Sequence, residues 1–444
     1  MSLPATQNQW TLVAAPTASA PKALAFKYVA SGAVPALPSP TSILVNIKAL
    51  ALAARDLQIL NGSYPAPHAL LENLVPTGSG SGVVVAVGPG VRKWKVGDRA
   101  IPYQMPGHHY TLDLEQWALE RSIGGGTHGT AQEYMVMDEN DAVPAPPHLS
   151  YEELACMGGS AVTAWACLFG HTPCLVPGST VLILGTGGVS IFAAQFALMS
   201  GSSIILCSSS DDKIAKAKEI LQPLLNPTAG KDAIRSINYC VDTEWDKTVL
   251  AMTGGRGVDN VVEVAGWATC GKSVRCTRKG GLVAVTGYLS TYNKVPDEIV
   301  QQAEPGARRE QRGGRREQRR ESSGERAARG EQRGERSDLS KMILYSAANV
   351  RGVFVGNRNQ SEQMMRAVER AGSRPVIAHS GLDSPDSPDL LLGLSRNPTK
   401  SPRARLTSLV SLTSQTFDFK DLPKAYEALE RAGHIGKIVV RVNP

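Results

Sequence analysis

The chain has 444 residues, of which 42% are hydrophobic and 20% are charged, a composition typical of a globular protein with room for two or three domains. The seven scattered cysteines form no Cys-x-x-Cys pair, which argues against a disulfide framework and against a structural zinc knot. No apolar run reaches the ~18 residues that a membrane span needs, and no basic segment with an apolar run follows the first residue. We therefore expect a cytoplasmic protein without a membrane partner.

The net charge of +7 raises the question of nucleic-acid binding, but much of the excess lies in two unusual segments. Residues 301–340 form an Arg/Glu/Gly repeat in which acidic residues nearly balance the arginines, and residues 378–415 are rich in Ser, Pro and Leu. An arginine-rich arm for nucleic acid is the alternative for the first segment. The near balance of charge favours a protein without a nucleic-acid partner.

The first 145 residues contain short apolar runs separated by glycine turns. We predict strands at 24–29, 43–52, 83–87, 100–103 and 131–137. Strands of this length at this spacing predict a small β-barrel.

A strand, a glycine turn, a helix and a second strand are predicted within 180–212. Gly185 permits a tight turn, Gly187 lets the backbone approach a pyrophosphate, and the amides at the helix N-terminus suit its negative charge. Ser190 occupies the position of the usual third glycine, where a small residue still permits close packing. The unit predicts dinucleotide binding, and its predicted cofactor residues are Gly185, Gly187, Gly188 and Val189.

Several motifs in this order resemble the zinc-type alcohol dehydrogenases, which are medium-chain dehydrogenase/reductases. The motifs are VGPGV at 87–91, VGDR at 96–99, TAW at 163–165, the glycine turn, TGGRGVD at 253–259 and GKIVV at 436–440. The resemblance implies an α/β protein with a Rossmann-type doubly wound parallel sheet and a GroES-like β-barrel. It also implies a small-molecule substrate and a homodimer or homotetramer.

The predicted domains are a barrel at 1–149, a Rossmann domain at 150–357 and a return to the barrel at 358–444. The segments 301–340 and 378–415 interrupt this pattern, and their composition predicts disorder. We hypothesise that both are translated intron sequence or gene-model errors, because neither fits the family pattern. Tryptic peptides from inside either segment, recovered from the natural protein, would contradict this.

The resemblance also locates three zinc ligands, and this sequence lacks all of them. Ala53 stands at the first cysteine, Thr77-Gly78-Ser79 stands at the Gly-His-Glu motif, and Gly159 stands at the second cysteine. Alanine and glycine offer no side-chain donor, so we predict no metal site. A loop site formed by His108, His109 and His128 is the less favoured alternative because their spacing is poor for a metal.

Reduction of a carbonyl, an enone or a quinone develops negative charge on the substrate oxygen, which a donor must stabilise. The candidate catalytic residues are Arg55, Asp56 and Tyr64. Arg55-Asp56 resembles the Asn-Tyr-Arg-Asp segment of zinc-free relatives, although Ala53 and Ala54 replace its first two residues. A structural ion pair for Arg55 and Asp56, and a packed aromatic role for Tyr64, are the alternatives.

The strand at 204–207 ends in Ser208 rather than in the acidic residue typical of NAD sites. Ser208 and Lys213 suit a 2′-phosphate, so the sequence favours NADPH, whereas Asp211 folding back onto the ribose would favour NADH. The resemblance adds Tyr239 near the adenosine and, at the nicotinamide, Thr163, Gly266, Gly287 and Val355. The predicted function is an NADPH-dependent, zinc-independent oxidoreductase that transfers a hydride to a carbonyl, enone or quinone. The alternatives are an NAD-dependent alcohol dehydrogenase and a catalytically impaired dinucleotide-binding protein.

Overall fold

The computed structural model describes residues 3–15, 23–65, 69–109, 116–225, 230–289, 339–375 and 416–442. Apart from residues 339–340, the two segments predicted to be disordered lie outside these ranges.

Strands and short helices alternate through the first part of the chain. The strands are β1 (Thr6–Ala14), β2 (Leu24–Ala33), β3 (Ser42–Ala51), β4 (Gly80–Val87), β5 (Arg99–Pro102), β6 (Tyr134–Asp138) and β7 (Ala142–Pro144). The helices are α1 (Ala54–Asn61), α2 (Gln116–Glu120), α3 (Tyr151–Ala155) and α4 (Val162–Phe169), and a π-helical turn at Met157–Ala161 precedes α4.

Strand and helix then alternate regularly. The elements are β8 (Thr180–Leu184), α5 (Gly188–Met199), β9 (Ser203–Ser208), α6 (Asp211–Leu221), β10 (Ile234–Asn238), α7 (Trp245–Met252), β11 (Val258–Glu263), α8 (Trp267–Arg275), β12 (Thr277–Val285) and β13 (Asn349–Gly352). The last elements are α9 (Arg358–Ala371), β14 (Thr416–Asp418), α10 (Leu422–Glu430) and β15 (Val439–Arg441), and residues 339–346 are also helical.

Six of these strands form a parallel sheet in the order β10-β9-β8-β11-β12-β13. The strands β8, β9 and β11 are almost wholly buried, and β8 and β9 are mainly apolar, as expected when helices cover both faces of a parallel sheet. The strand order reverses between β8 and β11, and such a switch point opens a crevice at the carboxyl ends of the strands. This sheet confirms the predicted Rossmann-type fold.

A second sheet has the order β14-β15-β3-β4-β5-β7, with β6 also pairing with β3, and its pairs are antiparallel apart from β14–β15. Trp10 of the β1–β2 hairpin packs onto this sheet, where its Nε1 donates to the Phe419 carbonyl at 2.8 Å. The β15 strand joins β3 from the far end of the chain, so the C-terminal residues return to the first part of the fold. The predicted GroES-like unit is confirmed, while the domain limits at 149/150 and 357/358 stay predictions.

The loop after β5 joins the two parts of the molecule. The Tyr103 hydroxyl donates to the Gly356 carbonyl, and the carbonyls of His108 and His109 accept from the first amides of α9. These contacts hold the loop that precedes α9 against the first part of the chain, so the region between the two sheets is fixed from both sides.

Candidate active site

The glycine turn after β8 has the geometry of a phosphate-binding turn. Gly185 has φ +78°, a conformation that favours glycine. Gly187 caps α5 with φ −75° and ψ −176°, and a Cβ built there meets no atom within 4 Å. The space in front of Gly187 is therefore open, and the free amides of the twelve-residue helix α5 face it.

Ser190 does more than leave room for close packing. Its Oγ donates to the carbonyl of Leu184 at 2.7 Å and is buried. This hydrogen bond ties the first turn of α5 to the last residue of β8. A serine thus holds the turn where a third glycine is usual, and the predicted tolerance of a small residue has a direct cause.

A segment near the C-terminus lies over this turn. The Gly436 amide donates to the Thr186 carbonyl at 3.1 Å, and Lys437 is only 2% exposed. A Cβ at Gly188 would lie 2.5 Å from Cδ of Lys437, and the Lys437 ammonium donates to the Leu52 carbonyl. Burial lowers the pKa of Lys437, although neighbouring acidic groups oppose the shift. In the sequence Lys437 is only one residue of the motif at 436–440, and no local pattern indicates its position beside the turn.

The residues predicted at the adenosine end lie around the end of β9. Ser208 is buried, and its carbonyl accepts from the Tyr239 amide at 3.0 Å, so these two residues are adjacent. Lys213, in the first turn of α6, donates instead to the Ala432 carbonyl at 2.6 Å. Asp211 and Asp212 are exposed in the same turn.

The residues predicted at the nicotinamide end fall into two neighbouring groups. A Cβ at Gly266, which has φ +82°, would lie 2.9 Å from the Gly287 carbonyl, so the loops after β11 and β12 touch. Thr163 in α4 donates to the Gly159 carbonyl at 2.9 Å. Val355 has φ +64°, and the adjoining Gly356 packs on the same helix, α4.

Arg55 and Asp56 begin helix α1, and their side chains take separate partners. Asp56 Oδ2 accepts from the Ala53 amide at 2.8 Å and so caps the helix. Burial raises the pKa of the Asp56 carboxyl, against the lowering effect of Arg55 and of the Ala53 amide. The Arg55 guanidinium turns the other way and donates through Nη2 to the Ile123 carbonyl.

Gln104 completes the surroundings of Arg55, and no sequence motif pointed to it. With its amide oxygen facing the guanidinium, Gln104 accepts from Nη1 at 3.1 Å and from Nη2 at 3.3 Å. The opposite orientation would set amide N–H groups against guanidinium N–H groups. The Tyr64 ring centroid lies 6.0 Å from Cζ of Arg55, within cation–π range.

The positions at which zinc-type relatives carry ligands do not fit a zinc ion. Ala53, Gly78 and Gly159 have no donor atom, and Arg55 with Gln104 fills the space between the last two. The candidate loop histidines do not converge either. His109 Nε2 lies 3.0 Å from Asp141 Oδ1, His128 Nδ1 accepts from the Val75 amide, and His108 is buried. Within the described ranges, no cluster of three His, Cys, Asp or Glu side chains is suited to a metal.

The glycine turn and the Arg55 group belong to one continuous site. A Cβ at Gly188 would lie 3.0 Å from Ser160 Oγ, and one at Gly159 would lie 2.6 Å from Ser79 Oγ. The π-helical turn that carries Gly159 and Ser160 therefore connects the two groups, and such turns are frequent at functional sites.

Among the described helices, none is both long and apolar enough to cross a membrane.

Known protein families match both parts of the chain. The alcohol dehydrogenase GroES-like domain matches residues 39–147, and the zinc-binding dehydrogenase family matches residues 188–304. A zinc-type alcohol dehydrogenase-like protein of Schizosaccharomyces pombe is 29% identical over 92% of this chain and 93% of its own length. A crotonyl-CoA reductase of Streptomyces avermitilis is 33% identical over 48% of this chain and 52% of its own length.

A solved structure of a putative alcohol dehydrogenase from Sinorhizobium meliloti superposes with a TM-score of 0.69 at 25% identity, over 99% of this chain and 100% of that one. The two sheets, their connections and the glycine turn agree with these matches. The chain therefore belongs to the medium-chain dehydrogenase/reductase family and is an NAD(P)-dependent oxidoreductase.

Proposed function

We propose that the protein is an NADPH-dependent, zinc-independent reductase that transfers a hydride to a small carbonyl, enone or quinone. The observation that carries this proposal is the group at the metal position, where a guanidinium and an amide replace three absent ligands. Hydride transfer without a metal still requires positive charge or donors at the substrate oxygen. Arg55 provides both.

The chain's own residues supply the cofactor contacts. The amides at the start of α5 and the open space at Gly187 suit a pyrophosphate, and the buried ammonium of Lys437 adds positive charge beside Gly188. Thr163, Gly266, Gly287 and Val355 would border the nicotinamide, which supplies the hydride when it is bound. A Cβ at Gly266 or at Gly287 would lie closer than 3.0 Å to neighbouring backbone atoms, so a side chain at either position would force the backbone to shift.

The preference for NADPH rests on the end of β9. Ser208 presents no carboxylate to a 2′-phosphate, whereas Asp211 and Asp212 face solvent in the first turn of α6. Ser208, Tyr239 and, after release from Ala432, Lys213 are the proposed partners of the adenosine phosphate. The hydrogen bond from Lys213 to the Ala432 carbonyl must break before Lys213 can reach the phosphate.

Asp56 and Tyr64 support the reaction indirectly in this proposal. Asp56 caps α1 and so fixes the backbone that carries Arg55, and Tyr64 places an aromatic ring beside the guanidinium. Both are therefore positioning residues. The proposed substrate group is a small electron-poor carbonyl compound, and the relative named as a crotonyl-CoA reductase adds unsaturated thioesters to the group.

A cofactor titration with a substrate panel tests the proposal. Binding of NADPH and NADH is followed by intrinsic Trp fluorescence, and turnover is followed by loss of reduced cofactor with enones, quinones, aldehydes and crotonyl-CoA. We expect tighter binding of NADPH, turnover with at least one class and no stoichiometric zinc in the purified protein. Preference for NADH with alcohol oxidation would overturn the proposal, and cofactor binding without turnover would favour a binding protein. Light scattering on the same sample tests the expected dimer or tetramer.

A further inference from the structure

Glycines 78 and 159 leave a space that this chain fills from elsewhere. A Cβ at Gly78 would collide with Nη2 of Arg55 and lie 2.9 Å from the Gln104 amide. A Cβ at Gly159 would lie 2.6 Å from Ser79 Oγ and 2.9 Å from the same amide. Neither position accepts a histidine or a cysteine while Arg55 and Gln104 keep these places. The positions that lack zinc ligands are therefore the positions whose side-chain space Arg55 and Gln104 occupy.

We propose that the Arg55 guanidinium, held by Gln104, takes the place of the metal as the cation that receives the substrate oxygen, with Gln104 as its positioning residue. This inference rests on the proposed reductase function. It assigns Gln104 a role that no sequence motif indicated, and it predicts substrates whose reduction leaves negative charge on an oxygen.

The guanidinium keeps donors for a substrate. Of its five N–H groups, Nη2 donates to the Ile123 carbonyl and both terminal nitrogens donate to Gln104. Nε is buried and has no partner among the described residues, and Nη1, which donates one N–H to Gln104, has a second N–H for a substrate. The Arg55 side chain is half-buried, so it reaches the region between the two parts of the fold while its stem is fixed. A fixed donor of this kind costs little reorganisation during the reaction.

The position of Arg55 also suits the reaction. Gln104 adjoins Gly159, whose carbonyl accepts from Thr163 at the proposed nicotinamide end. A bound reduced nicotinamide would supply a hydride that forms a C–H bond on the substrate, and the displaced π-electron pair would go to the substrate oxygen beside Arg55. Water would supply the proton that completes the reduction, since arginine does not release one at neutral pH, and the nicotinamide would be left oxidised.

The activity test compares Arg55→Ala, Arg55→Lys and Gln104→Met with Gln195→Met as the matched control. Gln195 is a buried glutamine of α5 that donates to the Arg374 carbonyl, away from Arg55. For Arg55→Ala we expect kcat to fall about 10²- to 10³-fold, with partial recovery in added guanidinium chloride at low millimolar concentration. For Gln104→Met we expect a loss of about tenfold in kcat with an unchanged Kd for NADPH. The kcat of Arg55→Lys should lie between those of Arg55→Ala and Gln104→Met.

A stability cycle tests the arrangement without any turnover. Gly78→Ala should lower Tm by about 2–5 °C, because the added methyl group displaces the guanidinium. In an Arg55→Ala background the same substitution should lower Tm by less, because the nearest colliding group is gone while the Gln104 amide and the Ile123 carbonyl, each 2.9 Å from that Cβ, remain. Equal effects in the two backgrounds would overturn the proposed filling of this space.

The two proposals fail in different ways. If the unaltered protein reduces a substrate and the kcat of Arg55→Ala lies within about threefold of its kcat, this inference is overturned. The reductase function then still stands. Stoichiometric zinc in the active protein would overturn the inference together with the zinc independence of the proposed function. Absence of NADPH binding and turnover in the unaltered protein would overturn the function itself, even if the stability cycle came out as expected.

Discussion

Gly187→Ala separates binding of the cofactor from stability of the fold. Residue 187 has φ −75° and ψ −176°, which alanine adopts without strain, and its Cβ would meet no protein atom within 4 Å. The loss of a glycine at the helix N-cap costs about 1 kcal/mol, while the lower entropy of the unfolded chain returns about 0.4–1 kcal/mol. The free energy of unfolding should therefore change by less than about 1 kcal/mol.

The same methyl group should weaken cofactor binding, because it projects into the space in which the backbone would approach a pyrophosphate. Loss of a hydrogen bond to a charged group costs about 1.5–3 kcal/mol, so Kd for NADPH should rise about 10- to 100-fold. Fluorescence titration measures Kd and urea unfolding measures stability. Gly352→Ala is the control, since a Cβ there is also free of contacts but lies on the edge strand β13. An unchanged Kd for Gly187→Ala would refute the assignment of this turn to the pyrophosphate.

Three further predictions concern other parts of the molecule. Tyr103→Phe removes the buried hydroxyl that donates to the Gly356 carbonyl. The free energy of unfolding in urea should fall by about 1–3 kcal/mol, and an unchanged midpoint of the urea transition would contradict the role of this contact. Ser208→Asp places a carboxylate at the end of β9 and should reverse the cofactor preference by at least about tenfold in Kd, since like charges 4 Å apart repel by ~4 kcal/mol at a dielectric of ~20; retention of the NADPH preference would place the phosphate elsewhere. Burial alone would raise the pKa of Asp259, but hydrogen bonds from Arg256, the Thr180 amide and Arg278 outweigh it and lower that pKa to about 2. The stabilisation is therefore present above the unfolded pKa of 3.8 and is lost as the pH falls towards 2. Asp259→Asn should cost about 1–2 kcal/mol at pH 7, and unfolding curves at pH 7 and pH 3 should show the difference shrinking.

Two charged residues near the site, Asp56 and Lys437, are buried, and burial shifts the pKa of each. Asp56 and Lys437 are each 2% exposed, and burial raises the pKa of the first and lowers the pKa of the second. Each is held by backbone groups, the Ala53 amide for Asp56 and the Leu52 carbonyl for Lys437. The adjacent residues Leu52 and Ala53 therefore hold both side chains in place.

The sequence by itself determined the fold class and the location of the glycine turn. Buried apolar runs at 181–184 and 204–207 appear as β8 and β9, because the faces of a parallel sheet are covered and its strands are apolar throughout. The lack of zinc-ligating side chains at Ala53, Gly78 and Gly159 could also be predicted from the sequence. Residue type alone excludes a zinc ligand where the side chain has no donor atom.

Only the tertiary structure decided what fills the site. Gln104 and Lys437 meet Arg55 and Gly188 through contacts between residues far apart in the chain, and no local pattern encodes such a contact. The partner of Lys213 was equally hidden, because the Ala432 carbonyl reaches α6 only after β15 has returned to β3. Local composition fixes which segments become strands and helices, whereas the side chains that share a buried space depend on how those elements pack.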